Sequence, residues 1–328
     1  MIRILKSELN NIPKFKRKLS SYIQDQIKHI QENHNISFNE EELSELLLSA
    51  CRSNDLKVIS FKGNKMFLDE EKTSKWIYEK LLPNTVILKL DDQDILRLLI
   101  FCIEITYQMF LGGTKATITA KGFRERRRTF ESILVDQFIG KLGEIMLKKF
   151  LEKNFTKVRI ELDWEISNQL QKHKNDIKNA KKKVSIKSSP ALSGIWAEAE
   201  KGYDYGIMVK CSVPQQPILQ FFIEVCGFSR LIDFAEGKIP ADDLLFKNYL
   251  KNIKKRIYDF KCGEIKTELK GFICGYFKTS KDKLKNVNET LPYLGKIREE
   301  RYLVRIDKLK YKKEQWEEFL YKIGLLNL

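Results

Sequence analysis

An apolar stripe along residues 130–151 constrains the fold more than any other stretch of the chain. Its apolar residues recur every three or four positions, which predicts one long amphipathic helix with a single face towards a core. Gly140 and Gly143 lie inside this helix, although each destabilises it by about 1 kcal/mol relative to alanine. The two glycines therefore indicate that another part of the backbone approaches the helix closely.

The chain that follows this helix mixes strand and helix patterns. Alternation of apolar and polar residues predicts strands, and helical spacing predicts helices around them. We predict strands at 158–164, 184–187, 205–213, 219–225, 271–277 and 302–306, and helices at 190–200, 241–258 and 313–321. This order predicts an α/β (α+β) fold, with a central mixed sheet flanked by helices.

The first part of the chain, residues 1–90, is predicted to be mainly helical, and residues 37–41 resemble a helix start. This N-terminal region is interpreted as an accessory, DNA-recognition or dimerisation element, or as plain packing support. Residues 91–328 form the second predicted domain. Its apolar run at 95–110 carries Arg97 and Glu104 and is too short for a membrane span, so a buried helix is expected.

The charge of the chain favours a polyanionic partner. Lysine and arginine total 60 against 44 acidic residues, a net charge of +16. Such an excess favours binding to nucleic acid, because neutralised phosphates release counterions; solvated surface lysines are the alternative. Six cysteines without a Cys-x-x-Cys pair, and only three histidines, argue against a zinc site and favour a reducing cytoplasm. The N-terminus lacks the apolar core of a signal peptide.

Two basic clusters and a serine pair are the predicted DNA contacts. Guanidinium groups offer forked donors for phosphates and guanine edges, and lysines bind phosphates as point charges. A solvated helix start is the alternative for the arginines, and capping of a helix near residue 190 is the alternative for the serines. The residues are Arg124, Arg126, Arg127, Arg128, Lys181, Lys182, Lys183, Ser188 and Ser189.

Asp176, Glu144 and Lys187 supply the residue types that phosphodiester hydrolysis needs. Carboxylates can hold Mg²⁺, and a lysine can orient or deprotonate the water and offset phosphate charge. The backbone carbonyl of Ile186 is a further candidate ligand. Two alternatives remain open: an ordinary ion pair between Glu144 and Lys148 one turn on, and Asp163 instead of Asp176 as the metal-binding acid.

The pattern Gly140-x-x-Gly143-Glu144, then Asp176, then Ser185-Ile186-Lys187, resembles the PD-(D/E)XK nuclease superfamily, with a spacing most similar to type II restriction endonucleases. The resemblance covers about residues 130–213. It implies a restriction-endonuclease-like core of helix, three strands, helix and strand, with Mg²⁺ as cofactor, double-stranded DNA as substrate and a homodimer as the active form. It also implies a cognate DNA methyltransferase encoded nearby.

The chain departs from the family pattern at two positions. Asn175 stands where a proline is usual, and Ser185 stands where the second acid is expected. Some restriction enzymes that cut CCGG-type sites have the same Ser-x-Lys arrangement and recruit a glutamate from the following helix. By that resemblance Glu200, or almost equally Glu198, is the displaced acid; the alternative is that both are surface residues.

We therefore expect a Mg²⁺-dependent, site-specific endonuclease of the restriction type. A repair, mobile-element or junction-resolving nuclease of the same fold is the first alternative. A non-catalytic DNA-binding protein is the second, because Ser185 leaves one negative charge missing. An RNA-binding protein is the third and depends on the charge alone.

Overall fold

The structure is a computed structural model that describes residues 2–89, 92–110, 130–165, 175–213 and 268–326, with short pieces at 237–238, 242–245, 247–248 and 251–252. The predicted strand at 219–225 and most of the predicted helix at 241–258 lie outside the described residues. The mixed α/β class predicted from the sequence is confirmed, because helices and several sheets make up the described chain.

The helices and strands are numbered in chain order. The α-helices of the described residues are α1 (Lys6–Leu9), α2 (Ile12–His34), α3 (Glu40–Ser53), α4 (Glu70–Trp76), α5 (Gln93–Phe110), α6 (Phe130–Asn154) and α7 (Lys313–Lys322). The strands are β1 (Ile2–Ile4), β2 (Ile59–Lys62), β3 (Lys65–Leu68), β4 (Thr85–Lys89), β5 (Val184–Ser189), β6 (Trp196–Glu200), β7 (Tyr205–Ser212), β8 (Glu268–Lys278), β9 (Leu284–Lys285), β10 (Thr290–Leu291), β11 (Gly295–Lys296) and β12 (Arg301–Arg305).

A four-stranded mixed sheet in the order β4-β8-β7-β5 forms the centre of the molecule. Strand β7 runs parallel to β5 and antiparallel to β8, and β8 pairs antiparallel with β4. Every residue of β7 is buried, as expected for a strand covered on both faces. Because β5 lies at the edge, the backbone groups on its outer side are available to a neighbouring loop.

The long helix α6 packs across one face of this sheet, as its apolar stripe predicts. Phe138, Leu142 and Ile145 are fully buried in the core between helix and sheet. Gly143 explains the close approach, because a Cβ atom there would lie 1.7 Å from Oγ of Ser188 on β5. Gly140 has nothing within 4 Å of the same position, so only one of the two glycines is required by packing.

A second sheet, in the order β6-β12-β9, lies near the other face of β7. Along β6, Ala197 and Ala199 are fully buried against Met208 of β7 and Phe277 of β8. Residues two apart in a strand share a face, so Glu198 and Glu200 point together to the opposite side. This alternation places both glutamates away from the apolar layer.

Two predicted elements are wrong and several are confirmed. Residues 196–200 form strand β6, not the helix predicted at 190–200. The predicted strand at 158–164 is reduced to an isolated bridge between Leu162 and Ile177. Its apolar residues are buried as expected, but the described chain places no continuous strand beside them. The structure confirms the strands at 184–187, 205–213, 271–277 and 302–306 and the helix at 313–321, within a few residues at their ends.

The N-terminal region combines helices with a small antiparallel sheet, β1-β3-β2. The helix start predicted at 37–41 is present, because Asn39 and Glu42 form a reciprocal capping box at the first turn of α3. Helix α3 is tied to the central sheet by buried polar contacts. Lys270 of β8 pairs with Glu42 at 2.9 Å, and Lys210 of β7 donates to Ser49 at 2.6 Å.

Helix α5 covers the buried helix predicted at 95–110. Ile95, Leu98 and Cys102 are fully buried against α6, whereas Ile100 is 70% exposed, so only one face of α5 meets the core. None of the helices in the described ranges combines the length and the apolar character needed to span a membrane.

Candidate active site

Asp176 is held at the outer edge of β5 by the backbone of that strand. Its Oδ2 accepts a hydrogen bond of 2.7 Å from the amide of Ile186. The preceding residue, Asn175, fixes the loop: its side chain accepts from the amide of Val184 at 2.9 Å and donates to the carbonyl of Lys182 at 2.8 Å. An asparagine can make these bonds and a proline cannot, since it lacks a polar side chain.

The carboxyl group of Asp176 is buried beside other charges. Burial raises the pKa of Asp176 to about 6, although the Ile186 amide and the Lys187 ammonium act in the opposite direction. The charge of Glu200 raises this pKa further. A carboxylate that is buried near a second carboxylate is in an environment that favours a bound cation or a proton.

Glu144 reaches the same region from α6. Its side chain is 13% exposed and forms an ion pair of 2.5 Å with Lys141, one turn earlier in the helix. Burial, opposed by Lys141 and reinforced by the charge of Asp176, raises the pKa of Glu144 to about 8. The alternative pair with Lys148 is not formed, because Lys148 lies 3.6 Å from Asp94 instead.

Lys187 and the two candidate displaced acids lie on facing strands. Nζ of Lys187 forms an ion pair with Oε1 of Glu200, and both side chains are about three-quarters buried. Glu198 is instead paired with Arg301 of β12 at 2.7 Å. The structure therefore brings Glu200 to Lys187 and Asp176, whereas Glu198 points to a neighbouring basic residue.

Asp163 lies near the site with both its backbone and its carboxyl group, whose charge raises the pKa of Glu144. Its carbonyl oxygen accepts a hydrogen bond of 2.6 Å from Lys141, and its Oδ1 accepts from the amide of Glu165 at 3.1 Å. The same Oδ1 lies 3.8 Å from Nζ of Lys178. Asp176, in contrast, is bound directly to the strand that carries Lys187.

The three serines of β5 have different environments. Ser185 is buried, and its Oγ has no hydrogen-bond partner within the described residues. Ser188 donates to the carbonyl of Gly140 at 3.3 Å, and Oγ of Ser189 accepts from the amide of Ala191 at 3.1 Å. No helix begins near residue 190. The two serines therefore do not cap a helix, and the bond between Ser189 and Ala191 belongs to a turn.

The predicted DNA contacts are only partly described. Lys181, Lys182 and Lys183 are exposed and lead directly into β5. Their position places positive charge next to the candidate site, where it can attract a phosphate backbone. Arg124, Arg126, Arg127 and Arg128 lie outside the described residues.

The sequence-based prediction did not assign three residues to the site. Lys141 could have been found, because it precedes Glu144 by three positions, a spacing that brings helical side chains together. Burial, together with the charges of Asp176, Glu200 and Glu144, raises the pKa of Tyr203. No sequence pattern indicated Arg301, because only the pairing of β12 with β6 brings this residue opposite Glu200.

Asp176 and Glu144 are the acids that could hold a divalent cation, with the Ile186 carbonyl as a third candidate oxygen. The charge of Asp176 raises the pKa of Glu144, and a hard cation prefers oxygen ligands. The Ile186 carbonyl points to the same side of β5 as the Ile186 amide that binds Asp176, since both groups of one strand residue share an edge. Within the described ranges, no cluster of three or more His, Cys, Asp or Glu side chains is positioned to hold a metal ion.

Comparisons of the chain with protein-family models, with curated proteins and with solved structures found no match.

Proposed function

We propose that this chain is a Mg²⁺-dependent DNA endonuclease, and that it acts as a type II restriction enzyme in a homodimer. The observation that carries the proposal is the convergence of Asp176, Glu144, Lys187 and Glu200 from four separate stretches of the chain. Two carboxyl groups with raised pKa values beside a lysine–glutamate pair form an unusual arrangement for a merely structural surface.

The proposed roles follow from the contacts. Asp176, Glu144 and the Ile186 carbonyl would hold Mg²⁺, which supplies charge neutralisation at the scissile phosphate. Glu200 holds the ammonium of Lys187 in place. Lys187 then orients the attacking water and offsets the negative charge that grows on the phosphate. The Ile186 amide fixes Asp176, so the carboxylate keeps its position relative to Lys187.

The substrate class is supported by charge. The net charge of +16 and the exposed run Lys181–Lys182–Lys183 beside β5 suit a polyanionic substrate such as DNA. Binding is therefore expected to weaken steeply as salt concentration rises.

Incubation of purified protein with plasmid DNA and Mg²⁺ tests the proposal. We expect discrete, reproducible fragments from the wild type. Asp176→Ala and Lys187→Ala are expected to abolish cleavage while DNA binding in a mobility-shift assay persists. Nicking that depends on DNA structure would instead indicate a repair or junction-resolving nuclease, and DNA binding without cleavage under any divalent metal would contradict the enzyme proposal.

Two observations favour a second candidate function, a non-catalytic DNA-binding protein. Ser185 is a neutral, buried residue where the nuclease pattern has an acid, and Glu144 is already paired with Lys141. A protein of this kind would shift DNA in the same mobility assay with or without Mg²⁺. Its affinity would be unchanged by Asp176→Ala, and RNA competition would distinguish an RNA-binding protein from it.

A further inference from the structure

Lys141 occupies a central position in the candidate site that the proposed reaction does not explain. Its side chain is 8% exposed, and Nζ lies 2.5 Å from Oε2 of Glu144. The same nitrogen donates to the carbonyl oxygen of Asp163 at 2.6 Å. The ammonium group thus sits between a carboxylate oxygen and a backbone carbonyl oxygen.

Two aromatic rings close off the rest of this ammonium. Nζ of Lys141 lies 5.2 Å from the ring centroid of Phe101 and 5.3 Å from that of Trp164. The rings themselves meet edge to face, with centroids 5.5 Å apart. Cations bind to aromatic faces at such distances. Lys141 is therefore held by fixed groups on several sides and has little contact with water.

The groups around Lys141 are those that a divalent cation requires. Carboxylate and carbonyl oxygens are the preferred ligands of hard cations such as Mg²⁺ and Ca²⁺. Asp176 adds a second negative charge close enough to act on Glu144. An ammonium at 2.5 Å from Glu144 fills the space and supplies the charge that a cation bound to this carboxylate would supply.

We propose that Lys141 is an internal counter-ion: it occupies the cation position at Glu144 and must leave that position before a divalent cation binds there. The proposal rests on the proposed function, because it concerns how the same site takes up its metal. Lys141 is a positioning residue that keeps the carboxylates together in the metal-free protein. It also weakens metal binding, since the cation must displace a favourable ion pair.

Removal of the ammonium gives a direct test. In Lys141→Met the long apolar side chain retains the contacts to Phe101 and Trp164, but Glu144 loses its counter-charge. Calorimetric titration of the full-length protein with Mg²⁺ alone, without DNA and at about pH 9 so that fewer protons compete with the cation for Glu144, should show a Kd at least about tenfold lower than that of the wild type. Mg²⁺ should also raise the Tm of the variant more than that of the wild type, by linkage.

Two further variants serve as controls. Lys141→Arg keeps the positive charge and should bind Mg²⁺ no more tightly than the wild type. Lys148→Met removes a lysine from the same helix that is paired with Asp94 at 3.6 Å, and should leave the Mg²⁺ affinity unchanged. Should Lys141→Met fail to fold, Lys141→Gln removes the charge and retains a donor for the Asp163 carbonyl.

The outcomes separate this inference from the nuclease proposal. Equal or weaker Mg²⁺ binding by the folded, uncharged variants would overturn the counter-ion role, even if the wild type cleaves DNA. Tighter binding by those variants would support the role, even if the wild type never cleaves plasmid DNA. A merely structural lysine would lower the Tm on substitution without increasing the Mg²⁺ affinity.

Discussion

The backbone amide of Ile186 donates a hydrogen bond of 2.7 Å to Oδ2 of Asp176. Because Ile186 precedes Lys187 on the edge strand β5, this bond fixes the carboxylate relative to the lysine. The loop that carries Asp176 is fastened to the same strand through Asn175. The spacing between acid and lysine therefore depends on backbone contacts rather than on two flexible side chains.

Asp176→Asn should strongly slow cleavage without disturbing the loop. The asparagine oxygen can still accept the bond from Ile186, but the negative charge is lost, so the cleavage rate is expected to fall by on the order of 10³-fold. Single-turnover cleavage of plasmid DNA measures this change. The matched variant, Asp163→Asn, keeps the carbonyl that binds Lys141 and should lower the rate less than about tenfold. The reverse order of effects would assign the metal-binding role to Asp163.

Glu200→Gln and Glu198→Gln form a second matched pair. Glu200 carries the ion pair to Lys187, whereas Glu198 is paired with Arg301. We expect Glu200→Gln to lower the cleavage rate by about 10²-fold or more, since Lys187 loses its fixed partner. Glu198→Gln should remain within about fivefold of the wild type. Cleavage rates at saturating DNA measure both, and equal losses would show that the two acids are interchangeable.

The strand that carries these acids shows where sequence reasoning failed. Residues 190–200 contain alanines and glutamates, which favour helix, yet Trp196–Glu200 form β6. Ala197 and Ala199 are buried against Met208 and Phe277, and β12 supplies the hydrogen bonds. Tertiary pairing thus outweighs intrinsic propensity. The alternation of alanine and glutamate was visible, but its partner lies about a hundred residues away in the sequence.

Local sequence patterns predicted the structure better where the feature depends on a single helix or strand. The apolar stripe of α6 predicted that helix. Gly143 predicted the close approach of another backbone segment, and the structure places the side chain of Ser188 on β5 against it. The acids and the lysine of the site could be listed from their residue types and order. Their relative positions could not be predicted, because the contacts of Arg301 and Glu200 depend on how separate strands pair.

Gly143→Ala should destabilise the protein, whereas Gly140→Ala should not. A Cβ at position 143 would lie 2.7 Å from Cβ of Ser188, so helix and strand must separate; overpacking of this kind lowers the free energy of unfolding by about 1–3 kcal/mol. Position 140 has open space, and alanine there should raise the free energy of unfolding by up to about 1 kcal/mol. Urea denaturation measures both. Equal destabilisation by the two alanines would contradict the described packing of α6 on β5.

Glu42 should make folding sensitive to acid. Burial raises its pKa, but hydrogen bonds from Lys270 at 2.9 Å, Ser212 at 2.5 Å and its own capping box outweigh burial, so the pKa lies below the ordinary value of 4.5. A carboxyl whose pKa is lowered by folding stabilises the folded state above the unfolded-state pKa, and this contribution is lost as pH falls through the folded-state pKa.

Glu42→Gln leaves the Lys270 ammonium buried without its counter-charge and should lower the free energy of unfolding by about 3–5 kcal/mol at pH 7. In urea titrations, the difference in the free energy of unfolding between Glu42→Gln and the wild type should shrink below pH 4.5. The exposed neighbour variant Glu41→Gln should stay within about 0.5 kcal/mol of the wild type. A difference for Glu42→Gln that is independent of pH would show that the carboxylate charge does not stabilise this contact.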